Sequence, residues 1–202
     1  MTGLGNCNIG YSQNSSKTCL EGRSRYQAGQ KSIDDLRNEI QSKNIKTKSI
    51  AIAQMGHAIS KHVKEMSPEK QYKAIAVLTH VIKTDSSEKV KQEAALALIN
   101  ASRNYKALSH RSKRVLVNGI KDCLDNVNSK IQTEGLKMAE QLVSLSGKDK
   151  LNEENAGIIT DSLKYFSSEK ENKQNTDKAR DLHRAAAHKP HSAPIAKNIF
   201  ET

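Results

Sequence analysis

The stretch 87–103, SEKVKQEAALALINASR, contains the clearest helix pattern in the sequence. Ser87 is a preferred N-cap residue, and the residues after it follow the period of an α-helix. The apolar residues that share one helix face are Val90, Ala94, Ala97 and Ala101. We therefore predict a helix over 87–103 that buries one stripe of mostly small side chains.

The same apolar spacing occurs once before and once after this stretch. The earlier copy consists of Ile52, Gly56, Ile59 and Val63. The later copy consists of Ile131, Gly135, Met138 and Leu142. The second position of every copy is Gly or Ala, which lets the backbone of a neighbouring helix approach closely. We therefore expect a packing contact that is repeated along the chain.

A second set of predicted helices alternates with the first. Its apolar positions follow an i, i+3, i+7, i+10 pattern: Ile33, Leu36 and Ile40; Tyr72, Ile75, Thr79 and Ile82; Val117, Ile120, Leu124 and Val127; Ala156, Ile159, Leu163 and Phe166. The members of this set begin 39, 45 and 39 residues apart, and those of the first set 38 and 41 residues apart. Such periods, with two helices each, are typical of stacked helical hairpins.

These patterns predict an all-α protein with three segments. Residues 32–167 form a helical-repeat domain of about three and a half hairpins, counted from the repeat pattern. Residues 1–31 are rich in Gly, Asn, Ser and Gln and have no charged side chain before Lys17, which predicts a disordered leader. Residues 168–202 are predicted to be a polar linker, a short helix over 176–188 and a proline-containing tail.

The segment from Asp85 to Leu98 resembles the second helix of a HEAT or armadillo repeat. In those repeats an acidic turn precedes a Val-Arg pair and an Ala/Leu run; here Val90-Lys91 replaces the pair, and the run is Ala94, Ala95, Ala97 and Leu98. The resemblance is strongest over 85–103 and implies an α-solenoid, a right-handed stack of hairpins. An irregular helical bundle that happens to alternate similar hairpins is the alternative.

The resemblance implies that the second helix of each hairpin lines a concave binding surface. The polar residues on those helices are Lys61, Lys64, Lys89, Glu93, Arg103, Lys130, Glu134 and Lys137. Because both signs of charge are interleaved, this set favours a protein partner with an acidic or mixed surface. An ordinary solvated helix face is the alternative for each residue.

The overall charge supports a second functional hypothesis, nucleic-acid binding by the basic residues of these helices and of the cluster at 110–114. The formal net charge is +11 and the isoelectric point is about 9.5. The charge is nevertheless scattered, with no polybasic block of the kind found in nucleic-acid-binding arms. Aromatic residues, on which single-stranded bases stack, make up only 3% of the chain.

The cluster HRSKR at 110–114 places Arg111, Lys113 and Arg114 at the beginning of a predicted helix. Positive charge is unfavourable there because the helix dipole is positive at its N-terminus. A bound anion would relieve this repulsion through both side chains and backbone N–H groups. We therefore predict an anion-binding or acidic-partner site at 110–114, with an inconsequential surface cluster as the alternative.

No pattern in the sequence predicts a catalytic centre, a cofactor or a metal site. His57 and His62 are five residues apart, as are His183 and His188, whereas helical ligand pairs prefer i, i+4. Cys123 lies on an apolar helix face and is predicted to be a core residue. We therefore expect a non-enzymatic protein-interaction module.

Three features bear on localisation. The chain has three cysteines, an odd and sparse set that favours a reducing, cytoplasmic environment. It lacks an apolar stretch of roughly 18–20 residues that would span a membrane. The composition of the leader resembles the N-terminal signal of bacterial type III secretion substrates, which suggests the further hypothesis of an effector delivered into a host cell.

Overall fold

The computed structural model describes residues 31–145, 150–168 and 173–187. These ranges contain no strand; they hold one 3₁₀ turn, Tyr105–Ala107, and eight α-helices. The helices are α1 (Ile33–Ile40), α2 (Ile45–His62), α3 (Pro68–Thr84), α4 (Glu88–Arg103), α5 (His110–Leu124), α6 (Ser129–Val143), α7 (Glu153–Ser168) and α8 (Lys173–Ala187). The prediction of an all-α protein is confirmed. The leader, Gly147 and the tail lie outside the described residues.

Serine and asparagine side chains begin the helices. Ser67, Ser87 and Ser109 accept hydrogen bonds from the backbone N–H groups at the third position of α3, α4 and α5, which confirms the N-cap predicted at Ser87. Helix α2 begins at Ile45, because Asn44 Oδ1 accepts the N–H groups of residues 46 and 47. Local capping thus defines where each of these helices begins.

The helices pack in two alternating sets. Each forms a hairpin with its partner, as α1 with α2, α3 with α4, α5 with α6 and α7 with α8. Each odd-numbered helix also contacts the next odd-numbered helix, and each even-numbered helix the next even-numbered one. The last helix, α8, packs on α6 and α7, so the packed helices extend beyond residue 167.

The three predicted apolar stripes of the even helices are buried throughout, as expected. Most predicted positions of the odd helices are also buried, although Tyr72 and Thr79 are only half-buried. Val127 is the exception, since its side chain is 96% exposed. Helix α5 ends at Leu124, and Asn126 Oδ1 accepts the Asn128 N–H in the following turn. The prediction that Val127 belongs to the apolar face of α5 was wrong.

Close backbone approach at the small residues is confirmed at two glycines. A Cβ atom on Gly56 would lie 2.9 Å from Ala97 Cβ, in the neighbouring even helix α4. A Cβ atom on Gly135 would lie 2.9 Å from Cys123 Cβ, in its hairpin partner α5. The small residue therefore serves close packing in both helices, but against different neighbours.

Gln71 connects three segments where α2 ends and α3 begins. It is buried, and its side-chain Nε2 donates to Val63 O at 2.8 Å and to Ala107 O at 3.2 Å. Its Oε1 accepts the Ser109 N–H at 2.8 Å. One glutamine thus satisfies backbone groups of the α2–α3 turn and of the segment that leads into α5.

None of the helices in the described ranges combines the length and the apolar character required to span a membrane.

Candidate functional site

A groove of about 380 Å³ lies between the even helices α4 and α6. We call it the α4–α6 groove; its lining residues are Leu96, Ile99, Arg103, Glu134, Lys137, Glu140, Gln141 and Ser144. Leu96 is 45% exposed, although it is a large apolar side chain. Three residues predicted to bind a partner, Arg103, Glu134 and Lys137, come together here.

Charges of opposite sign are paired along this groove. Lys137 Nζ donates to both carboxylate oxygens of Glu134, at 2.9 and 3.0 Å. Lys178 of α8 contacts the Glu140 carboxylate at 2.6 Å. Arg103 is exposed, and within the described ranges no carboxylate pairs with it. The groove therefore combines an apolar surface, one unpaired guanidinium and no excess of positive charge among its lining residues.

The remaining predicted residues do not line this groove. Lys61, Lys89 and Lys130 are exposed on α2, α4 and α6, and Lys64 is exposed just after α2 ends. Glu93 is half-buried, and its Oε2 atom has no hydrogen-bond partner in the described part of the chain. Glu93 and Glu134 occupy matching repeat positions but have different surroundings, since Glu134 is paired.

The cations at the beginning of α5 have partners within the chain. The Arg111 guanidinium lies 3.6 Å from the centre of the Tyr72 ring and 3.6 Å from the Glu69 carboxylate. Arg114 contacts Glu154 of α7 at 3.2 Å. Lys113 Nζ lies 4.9 Å from the centre of the ring of Tyr105. Each of these three cations therefore has a contact within the chain that offsets part of the unfavourable interaction with the helix dipole, and the anion-binding site stays a prediction.

Sequence reasoning missed a larger groove on the other set of helices. This α1–α3 groove has a volume of about 670 Å³ and is also bounded by the start of α2. Its lining residues are Arg37, Ile40, Gln41, Lys48, Tyr72, Lys73, Ala76, Val77, His80, Val81, Thr84, Asp85 and Ser86. Helix α1 has 8 residues and α3 has 17, but no pattern in the sequence indicated a gap between them.

One carboxylate lines the α1–α3 groove, and it is already held in place. Asp85 Oδ2 lies 2.5 Å from Lys48 Nζ, and Asp85 Oδ1 accepts the Ser87 N–H at 2.8 Å. Burial opposes ionisation of this carboxyl, but the Lys48 ammonium and the Ser87 N–H together lower the pKa of Asp85 below its ordinary value. Asp85 thus stays ionised at neutral pH as part of the structure.

Cys123 is a core residue, as predicted. Its side chain is buried, and that burial, together with the nearby carboxylates of Asp122 and Glu134, raises the pKa of its thiol. A protonated, inaccessible thiol is a poor nucleophile. Within the ranges that the structure describes, no three His, Cys, Asp or Glu side chains are grouped so that they could hold a metal ion.

Comparisons with known proteins give a likeness of fold. No protein-family model matches the chain, and no curated protein matches it. A crystal structure of an engineered protein from the Northeast Structural Genomics Consortium is similar, with a TM-score of 0.52 at 15% sequence identity. The match covers 77% of this chain and 62% of the engineered one, so this chain spans less than two thirds of that protein. At such low identity the similarity concerns the fold alone.

Proposed function

We propose that the helices form a HEAT- or armadillo-like α-solenoid that binds a protein partner through its even helices, without chemistry of its own. Two observations support the repeat architecture. Helices contact their hairpin partner and the next helix of the same set, and the apolar stripes of the even helices are all buried. Such arrays bury a continuous core between neighbours and leave long surfaces free for binding.

The α4–α6 groove is the observation that carries the binding proposal. Leu96 offers exposed apolar area, and Arg103 offers a cation that no described carboxylate neutralises. The paired charges of Glu134, Lys137 and Glu140 surround them. An apolar contact with a polar rim is the usual composition of a protein interface.

A pair of matched substitutions tests this proposal. Leu96→Glu places a charge in the groove, whereas Val127→Glu makes the same kind of change at an exposed residue in the α5–α6 turn. Proteins from cell extract that bind the immobilised full chain are then identified by mass spectrometry. We expect a defined partner to be retained by the wild type and Val127→Glu and lost with Leu96→Glu. A partner that Leu96→Glu retains at full yield contradicts the proposal.

Nucleic-acid binding is tested separately by fluorescence anisotropy. Duplex and single-stranded oligonucleotides are titrated with the full chain over a series of salt concentrations. Because the lining residues of the α4–α6 groove include as many carboxylates as cations, we expect weak binding at physiological salt. Tight binding that weakens linearly on a plot of log affinity against log salt would make nucleic acid the better proposal.

Delivery into a host cell is a separate hypothesis, because it rests on the composition of residues 1–31, which lie outside the described residues. Fusing these residues to a translocation reporter in a type III-competent bacterium tests it. Reporter signal that depends on the secretion apparatus supports delivery, and signal equal to that of a leaderless reporter contradicts it.

A further inference from the structure

The α1–α3 groove has an apolar floor. Ile40 of α1 and Val81 of α3 are each only 5% exposed, and Ala76 and Val77 are half-buried between them. The groove exists because α1 packs mainly on α2 and makes little contact with α3. On its other side, α3 is covered closely by α5: a Cβ atom on Gly119 would lie 2.7 Å from Thr79 Oγ1. Among the residues that the structure describes, α5 therefore covers one side of α3, while the α1–α3 groove leaves another side uncovered.

The rim of this groove is cationic. Arg37, Lys48 and Lys73 line it, with Asp85 as the single carboxylate among the lining residues that the structure describes. Lys48 forms an ion pair with Asp85, whose side chain is only 8% exposed. Arg37 is exposed, and the described part of the chain holds no carboxylate within contact of it. Arg37 is thus the cation most available to a ligand.

Lys73 can bind a ligand carboxylate with little loss of free energy. Its ammonium contacts Asp34 at 3.3 Å, but the Lys73 side chain is 35% exposed and that of Asp34 is 64% exposed. Exposed ion pairs of this kind stabilise a protein by about 0–1 kcal/mol, so a ligand carboxylate can replace Asp34 without much loss. Arg37 and Lys73 are therefore free to pair with acidic groups beside the apolar floor.

We propose that the α1–α3 groove binds an acidic amphipathic helix of a partner protein, with its apolar side chains on Val77 and Val81 and its carboxylates at Arg37 and Lys73. Lys73, Val77 and Val81 follow one another at i, i+4 and i+8 on α3. Each step spans about 6 Å along the helix axis. A ligand helix alongside α3 matches this spacing with an acidic residue and two apolar residues at the same intervals.

The composition of the groove distinguishes this ligand from others. A small anion would leave the apolar floor unused, and a nucleic-acid backbone would meet only two available cations. The volume of about 670 Å³ is large enough for several side chains. This site lies among the odd helices, so it goes beyond the function proposed for the even helices and does not depend on it.

A displayed library of random 16-residue peptides, selected on the immobilised full chain, tests the proposal. Selections run in parallel on the wild type, on Arg37→Glu/Lys73→Glu and on Arg103→Glu. Arg103→Glu is the control, because it reverses the charge of an exposed residue in the other groove, the α4–α6 groove. Circular dichroism checks that each variant folds, and Arg37→Gln/Lys73→Gln replaces the double reversal if that variant is unfolded.

We expect the wild type and Arg103→Glu to enrich peptides with acidic and aliphatic residues at helical spacing. Their affinity for Arg37→Glu/Lys73→Glu, measured by fluorescence anisotropy, should fall at least about tenfold, equivalent to about 1.4 kcal/mol. The proposal is overturned if no such peptides are enriched, if the double reversal binds them equally, or if duplex DNA displaces them at physiological salt. Loss of binding in Arg103→Glu alone would instead locate the peptides in the α4–α6 groove.

Discussion

The two even neighbours of α4 pack against it at different distances. On the α2 side, Gly56 meets Ala97 so closely that even a methyl group would not fit. On the α6 side, Leu96, Ile99 and Lys137 line an open groove. The apolar stripe of α4 is buried in either case. The size of the facing side chains, rather than the presence of a helical pattern, thus decides whether a helix pair closes or leaves a surface for binding.

Leu98 and Leu96, which lie two residues apart on the same helix, should show the largest difference in their effect on the free energy of unfolding. Leu98 is fully buried, whereas Leu96 is 45% exposed in the groove. Leu98→Ala should lower the free energy of unfolding by about 2–5 kcal/mol through lost burial and a cavity. Leu96→Ala should lower it by less than about 1 kcal/mol. Urea unfolding followed by circular dichroism measures both; equal losses would contradict this assignment of core and groove.

Glycine substitutions test the close contact itself. In Gly56→Ala the new Cβ would lie 3.1 Å from Ala97 Cα, so α2 and α4 must separate. Overpacking costs about 1–3 kcal/mol, and the higher helix propensity of alanine returns about 1 kcal/mol. We expect a net loss of about 1 kcal/mol in thermal or urea unfolding.

Gly157 is the matched control for Gly56. It lies in α7, and a Cβ atom added to it would meet no atom within 4 Å beyond its chain neighbours and its own helix backbone. Gly157→Ala should therefore raise the free energy of unfolding by about 0.5–1 kcal/mol through helix propensity alone. A stabilising Gly56→Ala would show that α2 and α4 are not in close contact.

Hydrogen bonds on the two sides of α4 should also differ in how much they contribute to the free energy of unfolding. Asn100 Nδ2 donates to Gly56 O at 3.2 Å, so Asn100→Ala should cost about 1 kcal/mol. On the other side, the Ser102 hydroxyl has one proton and two acceptors within reach, Gln141 Oε1 and, at 2.8 Å, Ile99 O. Gln141→Ala should cost about 0.5 kcal/mol or less, because Ser102 keeps a partner. Unfolding of the two variants under identical conditions gives the comparison.

The smallest effect is expected from pH, at the ion pair between α2 and the turn before α4. The pKa of Asp85 is lowered in the folded protein, so its ionised form stabilises the fold above the unfolded pKa of about 3.9. That contribution is lost as the pH falls through the folded pKa. Asp85→Asn should therefore be less stable than the wild type at pH about 7, and the difference should shrink toward pH about 3. A difference that does not change with pH contradicts a role for the charge.

Much of the helical framework follows from local sequence. Ser87 begins a helix where it was predicted to, and Ser67 and Ser109 cap helices in the same way, because an N-cap depends only on the three residues that follow. The buried stripes follow equally directly from apolar spacing. Val127 was misplaced because periodicity does not indicate where a helix stops. The apolar series of α5 stops before Val127 because a turn follows, in which Asn126 Oδ1 accepts the Asn128 N–H and Asn128 Oδ1 accepts the Lys130 N–H.

The candidate sites were harder to predict because they depend on distances between helices. Arg103, Glu134 and Lys137 were identified individually, yet only the packing of α4 against α6 places them in one groove. The α1–α3 groove depends on how far apart α1 and α3 lie, which no single helix pattern encodes. The contacts of Arg111 with Tyr72 and of Arg114 with Glu154 could not be predicted either, because these partners lie about 40 residues away in sequence on other helices.

The beginning of α5 has a consequence for the mechanics of the odd helices. Arg111 is paired with Glu69 of α3, and Arg114 with Glu154 of α7. These two exposed ion pairs add an electrostatic attraction between three neighbouring helices to the contacts of the apolar core. Salt screens such pairs far more than it weakens apolar contacts. Ionic strength should therefore change the bending stiffness of this face while leaving the fold intact.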